Sequence, residues 1–270
     1  MNYFELIPTE LNEIIISYLL FTDLKVLLET FNFLRINWGT INEYHFGEYK
    51  FTTSNEYLGR VSIEVLLVKL KLNLSIDQLF NAKKLYLASN QLTQVPPEIG
   101  NLTNLQALDL SNNKLIQVPL EIGNLTNLQE LYLFNNQLVR VPPEIGNLTN
   151  LQELSLNDNQ LTQLPPEIEA LTSLQYLYLS NNQLTQVPPE IGNLTNLQHL
   201  YLSNNKLTQI PLEIGNLTNL RELGLSRNQL TQIPPEIGYL TNLRALFLEN
   251  NRLKRVPPEI RKIPNIRIYE

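Results

Sequence analysis

The chain has 270 residues, 43% of them hydrophobic, so it is long enough to bury a sizeable core in one large domain or two small ones. Its net charge of −6 lies mainly in residues 1–58, where three Lys or Arg stand against eight Asp or Glu, and this excludes the positive surface typical of nucleic-acid-binding proteins. The absence of cysteine excludes disulfides, thiolate metal sites and thiol nucleophiles.

The N-terminus lacks features of membrane targeting. It has no positively charged region typical of a signal peptide, and the longest apolar stretch, "IIISYLLF", is far shorter than a membrane span. We therefore expect an intracellular, cytoplasmic protein without a membrane partner.

Residues 7–24, "IPTELNEIIISYLLFTDL", have the apolar spacing of a helix. Apolar side chains fall on one helical face, at Leu11, Ile14, Ile15, Tyr18 and Leu19. Pro8 suits the first turn of this helix, and Thr22 or Asp23 can cap a second one. The following "NWGTINEYHF" can form a short third element, and "GEYKFTTSNEYLG" is typical of a polar connector. We predict a helical head with its connector over residues 1–58.

The order Ile7-Pro8-x-Glu10-Leu11, followed by Ile15, Tyr18-Leu19, Asp23-Leu24 and Leu27, resembles the F-box over residues 4–42. This resemblance implies that the head docks on a Skp-type adaptor of a cullin–RING ubiquitin ligase while the rest of the chain selects a substrate. The docking residues it implies are Ile7, Pro8, Leu11, Ile15, Leu19 and Leu24. Where the family has a Val-Cys-Arg-x-Trp-like stretch, this chain has "TFNFL", and Trp38 comes four residues late. The other interpretation is a helical cap that buries the first repeat.

Residues 59–81 are predicted to be an N-terminal cap or half repeat. The stretch "EVLLVKLKLNLSI" mixes an apolar run with a period of two, so its type of secondary structure stays open. Ile76 and Leu79 align with Ile99 and Leu102 of the first full repeat. The repeating part of the chain therefore begins with an incomplete unit.

Residues 82–265 consist of eight copies of a 23-residue unit, such as "LQELYLFNNQLVRVPPEIGNLTN" beginning at Leu128. Self-similarity at a fixed step indicates a solenoid. The pattern L-x-x-L-x-L-x-x-N-x-L-x-x-[LVI]-P-x-x-I-x-x-L-x-x resembles the leucine-rich repeat, in the 23-residue subclass of Ras-pathway scaffolds and plant intracellular proteins. It implies an α/β solenoid, a horseshoe with a parallel concave sheet.

Residues 266–270 are predicted to be a C-terminal cap strand. The order of a helical head followed by these repeats is similar to that of F-box and repeat proteins of large DNA viruses.

Three positions of the repeat have a physical explanation. The leucines of "LYLSNN" point to one side of a strand and the residue between them to the other. A column of asparagines at the strand exit, with one member in every repeat from Asn90 to Asn251, can satisfy backbone groups freed at that turn. The later proline prevents a long helix and favours extended or short 3₁₀ structure on the outer face.

The residues between the strand leucines are predicted to line the concave face. Five of these eight central positions are aromatic, and two others are the small residues Ser155 and Gly224. We expect Gly224 to leave a notch that could admit a partner's side chain. Exposed aromatics on one face favour a protein interface, although cross-strand stacking alone would also explain them. The predicted binding residues are Tyr86, Asp109, Glu130, Tyr132, Phe134, Glu153, Tyr176, Tyr178, His199, Tyr201, Arg221, Arg244 and Phe247. Acidic residues lie mid-array, and Arg221, Arg227 and Arg244 lie toward its end, which would orient a partner.

No catalytic motif is present. The two histidines, His45 and His199, lie in different regions without metal-ligand spacing, and no glycine-rich phosphate loop occurs. We predict a non-enzymatic, monomeric protein-binding module without cofactor or metal. It is either the substrate receptor of a ubiquitin ligase or a scaffold or decoy in which the head is only a cap.

Overall fold

The computed structural model describes residues 44–46, 49–51, 70 and 74–270. The chain divides into two units, Met1–Asn81 and Ala82–Glu270. The residues predicted to bind a Skp-type adaptor lie outside the described residues; they are Ile7, Pro8, Leu11, Ile15, Leu19 and Leu24. The same holds for the predicted head helices, so the head's fold stays a prediction.

The described part of the first unit contains a hairpin and a short helix. Strands β1 (Tyr44–Phe46) and β2 (Tyr49–Phe51) pair antiparallel, in a stretch where we expected a short third element and a polar connector. Helix α1 (Ile76–Phe80) begins with a capping box, since Ser75 Oγ accepts from Gln78 N at 3.1 Å and Gln78 Oε1 accepts from Ser75 N at 2.8 Å. The end of the segment predicted as a cap is therefore helical.

The second unit is built on one open, curved sheet of nine parallel strands, in chain order. The strands are β3 (Lys84–Tyr86), β4 (Ala107–Asp109), β5 (Glu130–Tyr132), β6 (Glu153–Ser155), β7 (Tyr176–Tyr178), β8 (His199–Tyr201), β9 (Glu222–Gly224), β10 (Ala245–Phe247) and β11 (Arg267–Tyr269). Every pair from β3 to β10 has the same register, 23 residues apart. The predicted solenoid with a parallel concave sheet is confirmed.

The core lies behind the sheet. The middle leucine of each strand from β4 to β10 is fully buried, and the leucine two positions later is at most 2% exposed. These leucines pack with the isoleucine and two leucines that follow in each repeat, such as Ile145, Leu148 and Leu151, which are also fully buried. One side of every strand is thus committed to the interior, and the other side is left for the concave surface.

Short 3₁₀ helices form the outer face, as the prolines predict. Each follows an extended proline, such as Pro142 with φ −68° and ψ 148°, because proline fixes φ and interrupts the chain before a helix can lengthen. They span Pro97–Asn101, Leu120–Asn124, Pro143–Asn147, Pro166–Ala170, Pro189–Asn193, Leu212–Asn216 and Pro235–Tyr239. In the last repeat, the α-helix α2 (Pro258–Arg261) takes this place.

The asparagine column forms the predicted buried ladder. Asn159 Nδ2 donates to Leu133 O at 3.0 Å and Leu156 O at 3.1 Å, and its Oδ1 accepts from Leu138 N at 3.0 Å. Equivalent bonds occur from Asn113 to Asn251, each joining a repeat to the one before it. The prediction of burial is wrong for Asn90, which is exposed; among the described residues its Nδ2 donates to Ala88 O, at 3.3 Å. Its equivalent partner, 26 residues earlier, is residue 64, outside the described residues.

A left-handed residue precedes each ladder asparagine and turns the chain out of the strand. Its φ lies between 53° and 58° from β4 to β10, a conformation that Asn and Asp adopt more readily than other residues with a side chain. The position is held by Asn112, Asn135, Asp158, Asn181, Asn204, Arg227 and Asn250. Arg227 is the exception to this preference, and nothing in the structure explains it.

Candidate functional site

The concave face carries the side chains on either side of each middle leucine. In β5, β7 and β8 the middle leucine is buried and both flanking residues are partly exposed, because successive side chains of a strand alternate between faces. Most predicted binding residues are partly exposed here: Asp109, Glu130, Tyr132, Phe134, Glu153, Tyr176, Tyr178, His199, Tyr201 and Phe247. Tyr86 is 63% exposed, and Arg221 and Arg244 are exposed as well. None of these residues lies in the interior.

Four rings on β7 and β8 form what we term the aromatic platform: Tyr176, Tyr178, His199 and Tyr201. The rings stack across the two strands, with centroids 5.0 Å apart for Tyr176 and His199 and 5.4 Å apart for Tyr178 and Tyr201. Along each strand the centroid separations are 6.5 and 6.3 Å. Since each ring supports its neighbours, the platform is a rigid apolar surface whose edges remain accessible to a ligand.

Glu222 of β9 holds one end of the platform. The Tyr201 hydroxyl donates to Glu222 Oε2, and His199 Nδ1 lies 3.8 Å from the same oxygen. Sequence analysis missed Glu222, although it occupies the same register position as His199 in the next repeat. Applying the 23-residue register to every member of the platform would have found it.

The second cluster is acidic and lies on β5 and β6, where Glu130 and Glu153 are register partners beside Tyr132. Burial raises the pKa of the Tyr132 phenol above its ordinary value, and the negative charges of Glu153 and Glu130 raise it further. Burial also raises the pKa of Glu153, an effect opposed by its hydrogen bond with Tyr132. The phenol therefore stays neutral and acts as a donor between two carboxylates.

The space above Gly224 is not the predicted notch. A Cβ atom at this glycine would lie 2.9 Å from Cδ1 of Tyr201 and 3.2 Å from Oγ of Ser203, so the Tyr201 ring already fills the position. Gly224 thus makes room for the ring to reach Glu222 rather than for a partner's side chain. On the far side, Phe247 stacks on Tyr269 with centroids 4.8 Å apart, which extends the aromatic column into the cap strand.

The three arginines predicted to form one basic end lie on two edges of the sheet. Arg221 and Arg244 precede β9 and β10, at the edge where strands begin, whereas Arg227 lies at the strand exit. The strand-entry edge holds a polar groove of about 560 Å³. Its lining residues are Gln152, Ser173, Gln175, Asn196, Gln198, Asn219, Arg221, Asn242 and Arg244. Sequence analysis missed the amide members, although they recur at the 23-residue step.

Asp109 and the other described residues outside these clusters offer neither a metal site nor a membrane-spanning helix. Asp109 Oδ1 accepts from Ser111 N at 2.9 Å, so this predicted binding residue is engaged within its own turn. Within the described part of the chain, no group of three or more His, Cys, Asp or Glu residues is placed to hold a metal ion. No described helix is long and apolar enough to cross a bilayer.

Family profiles match this chain over most of its length, from residue 69 to residue 265. The family profile described as a leucine-rich repeat region matches residues 69–160 and 154–223, and one described as leucine-rich repeats in two copies matches residues 218–265. The chain belongs to the leucine-rich repeat family. Leucine-rich repeat domains generally mediate protein–protein interactions and are typically non-enzymatic binding modules. No curated protein matches this leucine-rich repeat chain in sequence.

Solved leucine-rich repeat structures are similar over about 70% of this chain. A leucine-rich repeat protein of Leptospira interrogans is 38% identical with a TM-score of 0.64, over 73% of this chain and 57% of that one. The plant peptide hormone receptor RGFR1, in complex with RGF2, is 35% identical with a TM-score of 0.60, over 70% and 35%. The ectodomain of the receptor kinase GASSHO1/SCHENGEN3 of Arabidopsis thaliana, in complex with CASPARIAN STRIP INTEGRITY FACTOR 2, is 34% identical with a TM-score of 0.54, over 70% and 26%. This chain therefore spans less than two thirds of each relative.

The bond between Tyr201 and Glu222 predicts a specific titration behaviour. Burial raises the pKa of the Tyr201 phenol, and the hydrogen bond and charge of Glu222 raise it further. Because the folded pKa exceeds the unfolded value of about 10, the neutral phenol stabilises the folded state below that pH. This contribution is lost as the pH rises through the folded pKa.

We expect Glu222→Gln to lower the pKa of Tyr201, since the substitution removes a negative charge that disfavours the phenolate. Absorbance of ionised tyrosine, followed through an alkaline titration, measures the change. The control is Glu121→Gln on the outer 3₁₀ helix Leu120–Asn124, which should leave the titration curve unchanged. Coincident curves for Glu222→Gln and the unsubstituted chain would contradict the assignment.

Proposed function

We propose that the concave face around the aromatic platform binds a segment of a protein partner. The observation that carries this proposal is the set of stacked, partly exposed rings on β7 and β8, which contact one another at the surface instead of filling the core. Tyrosine is enriched among the residues that dominate binding energy at protein interfaces. Cross-strand stacking explains why the rings are ordered, but it does not require so many of them on one exposed face.

The similar plant receptors support this proposal. Two of the structures described above are complexes with RGF2 and with CASPARIAN STRIP INTEGRITY FACTOR 2, and the first receptor is named as one for a peptide hormone. The parallel strands of this chain offer a comparable open surface. Neither the aromatic platform nor the acidic cluster on β5 and β6 provides a catalytic arrangement, so the proposed function is non-enzymatic binding without a cofactor. We propose that the chain acts as a monomer.

For the head we propose docking on a Skp-type adaptor of a cytoplasmic ubiquitin ligase, which would make the chain a substrate receptor. The F-box-like order of residues 4–42 supports this role, and the missing Val-Cys-Arg-x-Trp-like stretch weighs against it. The alternative is a scaffold or decoy in which the head only caps the repeats. In both cases the concave face performs the recognition.

The platform predicts a loss of affinity on truncation. We expect the double substitution Tyr178→Ala and Tyr201→Ala to lower the affinity for the partner by about tenfold or more, because two interfacial aromatic anchors are removed. The partner is identified by affinity capture and mass spectrometry, and its affinity for the purified full chain is then measured by calorimetry. Tyr239→Ala is the matched control, since Tyr239 is 68% exposed on the outer face. Equal affinities for the double variant and the control would refute the concave-face assignment.

The head proposal predicts direct binding of a purified Skp-type adaptor to the full chain. Ile15→Asp should abolish this binding, because it places a charge on the apolar face that the F-box resemblance assigns to the adaptor or the head core. Ser17→Asp changes the charge by the same amount on the opposite face of the predicted helix, because Ser17 follows Ile15 by two residues, and it should retain the adaptor in the same pull-down. Failure of the unsubstituted chain to bind any Skp-type adaptor would leave the scaffold alternative.

A further inference from the structure

The polar groove at the strand-entry edge is a second surface beside the aromatic platform. Its glutamine and arginine members come from five successive repeats, Gln152 to Arg244, so the groove is about 19 Å long at the strand spacing of about 4.8 Å. Gln175 and Gln198 directly precede the platform residues Tyr176 and His199. A segment bound on the platform therefore lies next to this groove.

The outer wall of the groove is held in place by bonds between repeats. Nδ2 of Asn196, Asn219 and Asn242 donates to the carbonyl oxygens of Thr172, Thr195 and Thr218, at 2.8, 2.9 and 2.8 Å. On the inner wall, Gln198 Nε2 donates to Gln175 Oε1 at 3.1 Å. Because these side chains are already ordered, a ligand would lose less conformational entropy on binding them.

Arg221 and Arg244 place two positive charges at one end of the groove. They belong to adjacent repeats, and Arg244 N donates to Arg221 O at 2.8 Å. Among the described residues the ion pairs are His199 with Glu222 and Arg261 with Glu270, so neither guanidinium has a carboxylate within 4.0 Å. Like charges on neighbouring repeats repel each other, and an anion between them would remove that cost.

We infer that this groove binds a carboxylate of the partner segment at Arg221 and Arg244. The guanidinium group matches a carboxylate with two parallel hydrogen bonds, and the neutral amides along the rest of the groove can donate to and accept from peptide groups. This inference rests on the proposed function, because it names a chemical feature of the same protein partner.

The charge distribution favours a peptide carboxylate over a polyanion. The chain carries a net charge of −6, and Glu130 and Glu153 lie on β5 and β6, away from the two arginines. Glu222 on β9 is nearer, but its carboxylate accepts the hydrogen bond of Tyr201. A nucleic acid would meet this repulsion along its whole length, whereas a single carboxylate avoids most of it at the β9–β10 end. The bound segment is thus oriented with its carboxylate toward β10.

The test uses the full chain and three short peptides of equal length. One is a glutamate peptide with both termini blocked, one is a blocked glutamine peptide, and one is a glutamine peptide with a free C-terminal carboxylate. Calorimetry at low salt should show the glutamate peptide, the free-carboxylate peptide or both binding about tenfold or more tightly than the blocked glutamine peptide. Which of the two binds distinguishes a side-chain carboxylate from a chain terminus.

Two double variants localise the effect. Arg221→Gln with Arg244→Gln should reduce binding of the charged peptide to the level of the blocked glutamine peptide. Arg252→Gln with Arg255→Gln removes the same two charges from exposed positions outside the groove and should retain the preference. Equal binding of charged and neutral peptides, or an equal loss in both variants, would overturn the inference. Such a result would leave the proposed function standing if the Tyr178 and Tyr201 substitutions still weaken partner binding.

Discussion

The asparagine ladder is the constraint on which the rest of the second unit depends. Each buried ladder side chain bonds the turn of its own repeat and the turn of the repeat before it, as Asn159 does with Leu156, Leu133 and Leu138. A buried polar group left without a partner costs about 1–3 kcal/mol, so an insertion or deletion that displaced one asparagine would leave several groups unsatisfied. The ladder therefore fixes the 23-residue step and, with it, the register of the sheet.

A fixed register converts sequence columns into surface chemistry. Residues 23 positions apart become lateral neighbours, which is why Tyr178 stacks on Tyr201 and Gln198 bonds to Gln175. The same rule separates functions by column: aromatic and acidic groups lie beside the middle leucines, and amides with two arginines lie at the strand entry. The aromatic surface and the polar groove thus lie side by side on the same rigid strands.

Sequence periodicity predicted the step, the parallel sheet, the outer 3₁₀ helices and the ladder, because all of these depend on spacing. It failed where the direction of a side chain decides the outcome. The Tyr201 ring turns toward Glu222 and fills the space over Gly224, a preference that comes from one hydrogen bond and not from the repeat. The stacking of Tyr269 on Phe247 was missed because the register shortens to 22 residues at the cap strand. The groove was missed because its amides look like ordinary surface residues until the repeats are stacked.

The most direct test of the ladder's role is urea unfolding of Asn159→Ala beside Asn90→Ala. Asn159→Ala removes one acceptor and the donors to several buried carbonyls, so we predict a loss of at least about 2 kcal/mol in the free energy of unfolding. Asn90 is exposed, and among the described residues its side chain donates to Ala88 O of its own turn, a bond that water can replace; its backbone N–H, which bonds Asn113 Oδ1, is kept in the variant. Asn90→Ala should therefore change the free energy of unfolding by less than about 0.5 kcal/mol. Equal losses for the two variants would contradict the claim that the buried ladder holds the repeats in register.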